Sequence, residues 1–289
     1  MITPWLASVW REAVPATGHR SAVEWCEKHV RLVGSARSER FDSSLTPWTR
    51  EPLDAACSGE CSVVTLVKPV QSGGSAAGEC AICYWLGTET GGDVQYNWED
   101  DRKAGERWEK RVEKILKACN PVMERAPSQD RQDGRWKKKS VIFPHCNFTV
   151  QGVFTEDNLD SDTIRFQVNE EIHSWESGRL MKAYNRTSAV WNSVRFNISN
   201  ASTKDDQLHE ASRSGTDQVW TVPCPTCGIY HAMRTKWEDD KPSLGGLRYD
   251  ADGCRGQDGS YDYNKLGPTI RYQFPCGHKV KDDPVVRRQ

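Results

Sequence analysis

No apolar run in the 289 residues approaches the roughly 20 needed to cross a bilayer. A membrane-spanning helix is therefore not expected. Neither charge is in surplus: 39 Lys and Arg stand against 40 Asp and Glu, for a net charge of −1. The whole chain thus exerts no strong electrostatic pull on nucleic acid, and any DNA contact would rest on local patches such as "GRWKKKS" (Gly134 to Ser140) or the ending "VVRRQ". Short runs of this kind are more often solvated surface than a footprint. The opening "MITPWLASVWREAV" has charged residues too early for a secretory signal, so an intracellular protein without a membrane partner is expected. No internal repeat and no long low-complexity segment are found.

Cysteine, by contrast, is plentiful. There are eleven, an odd number without a secretory signal, which argues against a disulfide framework. Cys80 and Cys83 fall in a predicted helix and read as small core residues. "CPTCG" (Cys224 to Gly228) has instead the spacing of a zinc knuckle, with two thiolates two residues apart and a glycine that eases the turn. Cys276 and His278 in "FPCGHKV" offer two more ligands, with Cys254 as a competitor for the fourth position and a metal-free knuckle as the alternative. Such zinc would be structural, folding a segment too small for its own core.

Hydrophobic periodicity divides the chain into three parts. Residues 1–45 contain helical stretches, including "SAVEWCEKHVRL" from Ser21 to Leu32. Residues 46–215 alternate strands and helices. Strands are predicted in "CSVVTLVK", "GDVQYNW", "TIRFQVNEE" and "SVRFNIS", a hairpin in "SVIFPHCNFTVQGVF", and a long amphipathic helix from Asp101 to Cys119. Residues 216–289 are short β-like pieces, Gly-rich turns and paired cysteines. The expected fold is α/β: a P-loop NTPase-type, mostly parallel sheet with flanking helices, plus a small cysteine-rich, zinc-ribbon-like C-terminal region.

The stretch "LVKPVQSGGSAAGE" follows a β-branched run and precedes a helix, the order a phosphate-cradling loop requires. Gly73 and Gly74 permit close approach of the backbone, and Ser75 supplies a hydroxyl for Mg²⁺. The loop lacks the lysine that usually precedes that hydroxyl, and Lys68, at the strand end, is its one candidate cation. Gly-Gly-Ser is also an ordinary turn. Farther on, Glu170 and Glu171 end a strand in the order of a metal-shell carboxylate followed by one that polarises water, or else cap the following helix.

Together these motifs resemble the large terminase subunits of tailed phages, of the lambda-like or GpA class, from about Trp25 to His278. "LTPWTREPLDA" is similar to the Thr-Pro-Tyr stretch ahead of that family's ATPase core, with Trp48 in the aromatic place; "VKPVQSGGSAAGE" is similar to its phosphate loop. The resemblance implies Lys68 as the phosphate-binding lysine and Gln71, Ser72, Gly73, Gly74 and Ser75 as loop positions. It implies Glu170 for the Mg²⁺ shell, Glu171 as the catalytic carboxylate, Arg186 as a phosphate or subunit-interface contact, and Ser199 and Asn200 in a segment coupling hydrolysis to movement. It further implies ATP, Mg²⁺ and Zn²⁺ as ligands, and double-stranded DNA, a terminase small subunit and a portal or procapsid as partners. A homo-oligomer working in the host cytoplasm is implied as well.

Several positions depart from the family. Glu170 replaces aspartate, His173 replaces the last acidic residue of its motif, Asp160 stands where many relatives have arginine, and Asn97-Trp98-Glu99 replaces Gln-Pro-Thr. These departures motivate an alternative: a non-hydrolysing DNA-binding or packaging-assembly module that keeps the fold and the knuckle. A helicase of related core is a third reading, without a second motor domain to support it. Family members are about twice this length and carry a nuclease half, so DNA cleavage is not expected of these residues.

Overall fold

The computed structural model describes residues 21–34, 39–128, 134–160, 162–256 and 258–281. The opening stretch and the ending "VVRRQ" lie outside the described residues. The chain divides into two compact units, residues 1–216 and 217–289. No helix among the described residues is long and apolar enough to cross a membrane.

The first unit is built on a seven-stranded sheet. In chain order its strands are β1 (Val63–Lys68), β2 (Asp93–Trp98), β3 (Trp136–Lys137), β4 (Ser140–Ile142), β5 (Asn147–Gly152), β6 (Ile164–Glu170) and β7 (Val194–Asn200). Across the sheet they run β1-β7-β6-β2-β5-β4-β3. The five strands from β1 to β5 are parallel, and β4 and β3 extend the edge antiparallel. The mostly parallel sheet with flanking helices agrees with the expectation from sequence. The predicted hairpin is β4 and β5, and its second strand also belongs to the parallel core.

One face of this sheet is apolar. Helix α1 (Ala22–His29) is capped by Ser21, whose hydroxyl accepts from the Glu24 N–H, and α2 (Arg50–Ser58) ends on left-handed Gly59. With α3 (Gly74–Thr88) they pack on this face, where Val64, Phe166, Val168, Phe196 and Ile198 project by strand alternation. Helix α3 is hydrophobic almost all round, as a central helix must be, and its Trp85 stacks on Phe166 with ring centroids 4.5 Å apart. The long helix predicted from Asp101 forms as α4 (Asp101–Arg107), a π-helical turn (Trp108–Val112) and α5 (Glu113–Ala118), followed by the short α6 (Asn120–Met123). Cys80 and Cys83 are buried in the core, as read from sequence.

The opposite face is polar. Thr65, Asn197, Asn169 and Asn97 lie side by side on β1, β7, β6 and β2 in strict register. Their side chains join hands across the sheet: Asn197 donates to Thr65 (3.1 Å), Asn169 to Asn197 (2.9 Å) and Asn97 to Asn169 (2.9 Å). Gln167 adds bonds to Gln95 and to the Ala183 carbonyl. Helices α7 (Arg179–Asn185) and α8 (Gln207–Arg213) complete a second cluster around Leu159, Ile172, Trp175, Leu180 and Leu208.

The second unit contains a hairpin of β8 (Thr221–Pro223) and β9 (Tyr230–Ala232). A three-stranded antiparallel sheet follows, from β10 (Gly246–Arg248), β11 (Arg271–Gln273) and β12 (Lys279–Lys281), with one helical turn, α9 (Tyr263–Leu266). Its apolar cluster is small: Cys224, Tyr272 and Phe274, flanked by Val222 and Val280. So little buried area calls for another source of stability.

Candidate active site

The loop from Pro69 to Gly73 joins β1 to α3 at the carboxyl end of the sheet. Gln71 and Gly73 are left-handed, with φ of 58° and 85°. A Cβ on Gly73 would lie 2.6 Å from Thr46 Cγ2, so the glycine lets the preceding segment press against the loop. The same segment supplies Trp48, whose Nε1 donates to the Ser72 carbonyl at 2.8 Å, while the Ser72 hydroxyl donates to the Pro69 carbonyl at 2.7 Å. Trp48 is thereby part of the loop's support.

Lys68 ends β1 and is only 6% exposed. Its aliphatic stem runs across the start of α3: a Cβ on Gly74 would stand 2.5 Å from Lys68 Cδ and 2.7 Å from Cε. This explains the glycine where such loops usually carry lysine, because the space is taken by a lysine arriving from the strand. The Lys68 ammonium donates to Glu171 Oε1 and to Asn200 Oδ1, each at 3.1 Å. Lys68 and Asn200 are register partners on adjacent strands, so the contact follows from parallel pairing.

Glu170 and Glu171 part ways at the end of β6. Glu170 faces α3 and is fully buried. Its Oε1 accepts the Tyr96 hydroxyl at 3.1 Å, and its Oε2 has no hydrogen-bond partner. Burial pushes its pKa up to about 7, opposed by the Arg107 guanidinium and the Ser75 hydroxyl, with Glu171 and Glu79 adding to the rise. An orphaned buried carboxylate oxygen beside the Ser75 hydroxyl is a donor set that suits a hard divalent cation such as Mg²⁺. Glu171 is left-handed (φ 55°), which swings its carboxylate toward β1 and β7. There its Oε2 accepts Asn200 Nδ2 at 3.0 Å and lies 3.1 Å from His173 Nδ1. Ser199 is buried beneath, accepting the His173 N–H at 3.0 Å and donating to the Asn200 carbonyl at 3.1 Å.

Lys68, Gln71, Ser72, Gly73, Gly74, Ser75, Trp48, Glu170, Glu171, Ser199 and Asn200 therefore gather at one end of the sheet. Arg186 does not join them. Its carbonyl bonds the Ile164 N–H at the opposite end of β6, roughly 20 Å of strand away from Glu170. Nor does the basic run after Gly134 present a bare cationic patch, since Lys138 pairs with Glu109 and Lys139 with Asp101, both at 2.6 Å. Sequence reasoning missed Tyr96 and Arg107, which border Glu170, and the amide ladder behind it. The ladder had a signal: Gln95 and Asn97, Gln167 and Asn169, and Asn197 occupy alternate strand positions where an apolar face would be usual.

In the second unit, Cys224, Cys227 and Cys276 bring their sulfurs within 4.8 Å of one another, and Cys224 Sγ lies 3.4 Å from Cys276 Sγ. Burial raises the Cys224 thiol pKa, but the backbone N–H groups of Cys227 and Thr226 together with the thiols of Cys276 and Cys227 outweigh it, and the result is lowered. That favours the thiolate a metal requires. Two similar turns carry the sulfurs. Gly228 N–H bonds the Cys224 carbonyl and Gly277 N–H the Phe274 carbonyl, each at 2.8 Å, while the N–H groups of Cys224 and Phe274 bond the carbonyls of Ile229 and His278; in a turn one residue shorter, buried Phe274 thus begins the second as Cys224 begins the first. Neither Cys254 nor His278 belongs to the sulfur cluster; His278 Nδ1 lies 2.8 Å from the Thr226 hydroxyl. Three thiols on two turns fit a tetrahedral soft metal with one position left for a further ligand.

No curated protein sequence matches the chain. Among solved structures it is similar to the large terminase of bacteriophage HK97, with a TM-score of 0.54 and 12% identity over 68% of this chain and 42% of that one. The chain thus spans less than half the length of that terminase. The large terminase ATPase domain of Thermus phage P74-26 aligns with a TM-score of 0.43 and 16% identity, over 60% of this chain and 72% of that one. The family model for the phage terminase large subunit gpA, ATPase domain, matches residues 35–258, well over half of the chain. The chain belongs to the family of phage terminase large subunit gpA ATPase domains.

Proposed function

We propose that this chain is the ATPase motor portion of a phage terminase large subunit, hydrolysing ATP to drive double-stranded DNA into a procapsid. The observation that carries the reading is the convergence of Lys68, Glu171 and Asn200 at the ends of neighbouring strands, beside a glycine-bearing loop and a buried carboxylate with a vacant oxygen. In this reading Lys68 and the loop from Gln71 to Ser75 hold the phosphates. Ser75 and Glu170 would hold Mg²⁺, which when bound neutralises charge on the transferred phosphoryl group. Glu171 accepts a proton as water attacks the γ-phosphorus in line, and the bond to the β-phosphate oxygen breaks to release ADP and phosphate. Lys68 must leave Glu171 to reach the phosphates, so nucleotide binding and release of the base are one exchange. Ser199 and Asn200, on the strand beside the loop, carry that change toward movement.

Residues 46–215 are the ATPase core in this proposal and 216–289 a zinc-bound ribbon. Cys224, Cys227 and Cys276 hold the metal, with His278 or Cys254 as the fourth ligand. Arg186, remote from its own loop, serves a neighbouring subunit in a homo-oligomer docked on the portal. A small subunit delivers DNA, and the assembly works in the host cytoplasm.

The deciding experiment is phosphate release by the purified chain with Mg²⁺, with and without duplex DNA, for wild type, Glu171→Gln and Lys68→Ala. The expected outcome is turnover in the wild type alone, with ATP still bound by Glu171→Gln. ATP that does not bind at all would sink the assignment. A second reading, a binding module without hydrolysis, draws on the complete burial of Glu170, a glutamate in an aspartate's place. It predicts ATP binding by wild type with no phosphate release under any of these conditions.

A further inference from the structure

His173, which stands where the family's motif is acidic, packs its ring against Glu171. Its Nδ1 faces two oxygens, Glu171 Oε2 at 3.1 Å and Ser199 Oγ at 3.3 Å. The Ser199 hydroxyl gives its single proton to the Asn200 carbonyl and already accepts the His173 backbone N–H, so toward the ring it can only accept. An ionised carboxylate also only accepts. Nδ1 must therefore carry the hydrogen, and the imidazole meets Glu171 as a donor.

The two oxygens of Glu171 are consequently held in different ways. Oε1 is held by Lys68, the cation that the phosphates compete for. Oε2 is held by Asn200 Nδ2 and faces the His173 ring, so neither of its partners is the lysine. When Lys68 turns away, one oxygen stays fixed and the other is freed.

We propose that His173 is a positioning residue that, together with Asn200, locks Glu171 Oε2, so that Oε1 is the atom that takes the proton from water. The proposal rests on Glu171 being the catalytic carboxylate. The backbone bond from His173 to Ser199 fixes the turn after β6, and the ring then needs no further support to stay on the carboxylate. An acidic side chain at this position, as in the family motif, would face Glu171 with like charge. Here the histidine supplies a donor instead.

The test compares steady-state phosphate release and ATP binding for wild type and for His173→Leu, His173→Asn and His173→Asp. An asparagine amide can place a donor near the Nδ1 position, whereas leucine fills the space without one. Loss of orientation at a general base predicts a fall in kcat of about 10- to 100-fold for His173→Leu with KM unchanged. His173→Asn is expected to recover most of it, and His173→Asp to be at least as slow as leucine. All four proteins should share one thermal midpoint within a few degrees, which separates positioning from misfolding. Leucine as active as wild type, or a change confined to KM, would overturn the proposal while leaving the hydrolysis reading intact. A wild type without turnover sinks both.

Discussion

Gly74 and Lys68 share one space, and this has a measurable cost. Alanine at Gly74 would press on Lys68 Cδ and Ile198 Cγ2, and the flexible lysine is the group that yields. Gly74→Ala is therefore expected to weaken ATP binding about tenfold, equivalent to about 1.4 kcal/mol. Titration of a fluorescent ATP analogue against both proteins checks this, and equal affinity would show that Lys68 is not held by the fit. Glu170 offers a test through pH. Its folded pKa, raised to about 7, lies above its ordinary 4.5, so the folded chain retains a proton that the unfolded chain gives up. Stability then falls as pH rises across that window, and the cost is complete above it, at most about 3 kcal/mol. In Mg²⁺-free urea titrations, Glu170→Gln should be the more stable protein at pH 8 and lose its advantage near pH 4.5. Parallel pH profiles would refute the buried charge. Much of this site was legible because its residues sit in order along the chain: a lysine, two glycines and a hydroxyl, then two carboxylates at a strand end. What was not legible is contact across strands. Nothing in the order of residues says that Lys68 reaches Glu171, that Tyr96 reaches Glu170, or that Arg186 ends at the far side.

At the scale of elements, strand alternation was readable wherever it was apolar. β1, β2, β6 and β7 were all expected from their β-branched and aromatic residues, whereas the π-helical turn in the long helix was not. Arg107, just before that turn, and Arg111, within it, both pair with buried Glu79 of α3, at 2.7 and 2.6 Å. The pairing is tertiary and leaves no trace in helical periodicity. The amide ladder is where alternation carries its largest energetic consequence. Removing one rung leaves its neighbours buried without partners, which costs more than the bond itself contributes. Asn169→Ala should lower unfolding free energy by about 2–4 kcal/mol, read from urea midpoints at unchanged slope. A loss below about 0.5 kcal/mol would mean that the ladder does not hold the strands.

For the whole molecule, the two units rest on different physics. The first has a broad apolar core on one face of its sheet, and the second has a small apolar cluster of Cys224, Tyr272 and Phe274, with Cys227 and Cys276 converging on the first of these. Purified chain is expected to carry one zinc by elemental analysis, and Cys224→Ser and Cys276→Ser each to lose it. Chelation should then open residues 217–281 to protease while the first unit stays resistant. A chain that carries no zinc and resists protease throughout would leave the sulfurs as plain core atoms. The cluster was foreseen from "CPTCG", and Phe274 at a usual cysteine position was legible in "FPCGHKV" too; what the sequence did not show is that Cys254 and His278 stay outside the sulfur cluster. The ladder, finally, bears on how such a sheet can move. Because Thr65, Asn197, Asn169 and Asn97 are tied in register, none of these four strands can slide past its neighbour without breaking the rung between them. The sheet is thus a stiff plate with chemistry at one rim. In the ATPase motor proposed above, such a plate would pass a change at that rim to its flanking helices as one body rather than strand by strand.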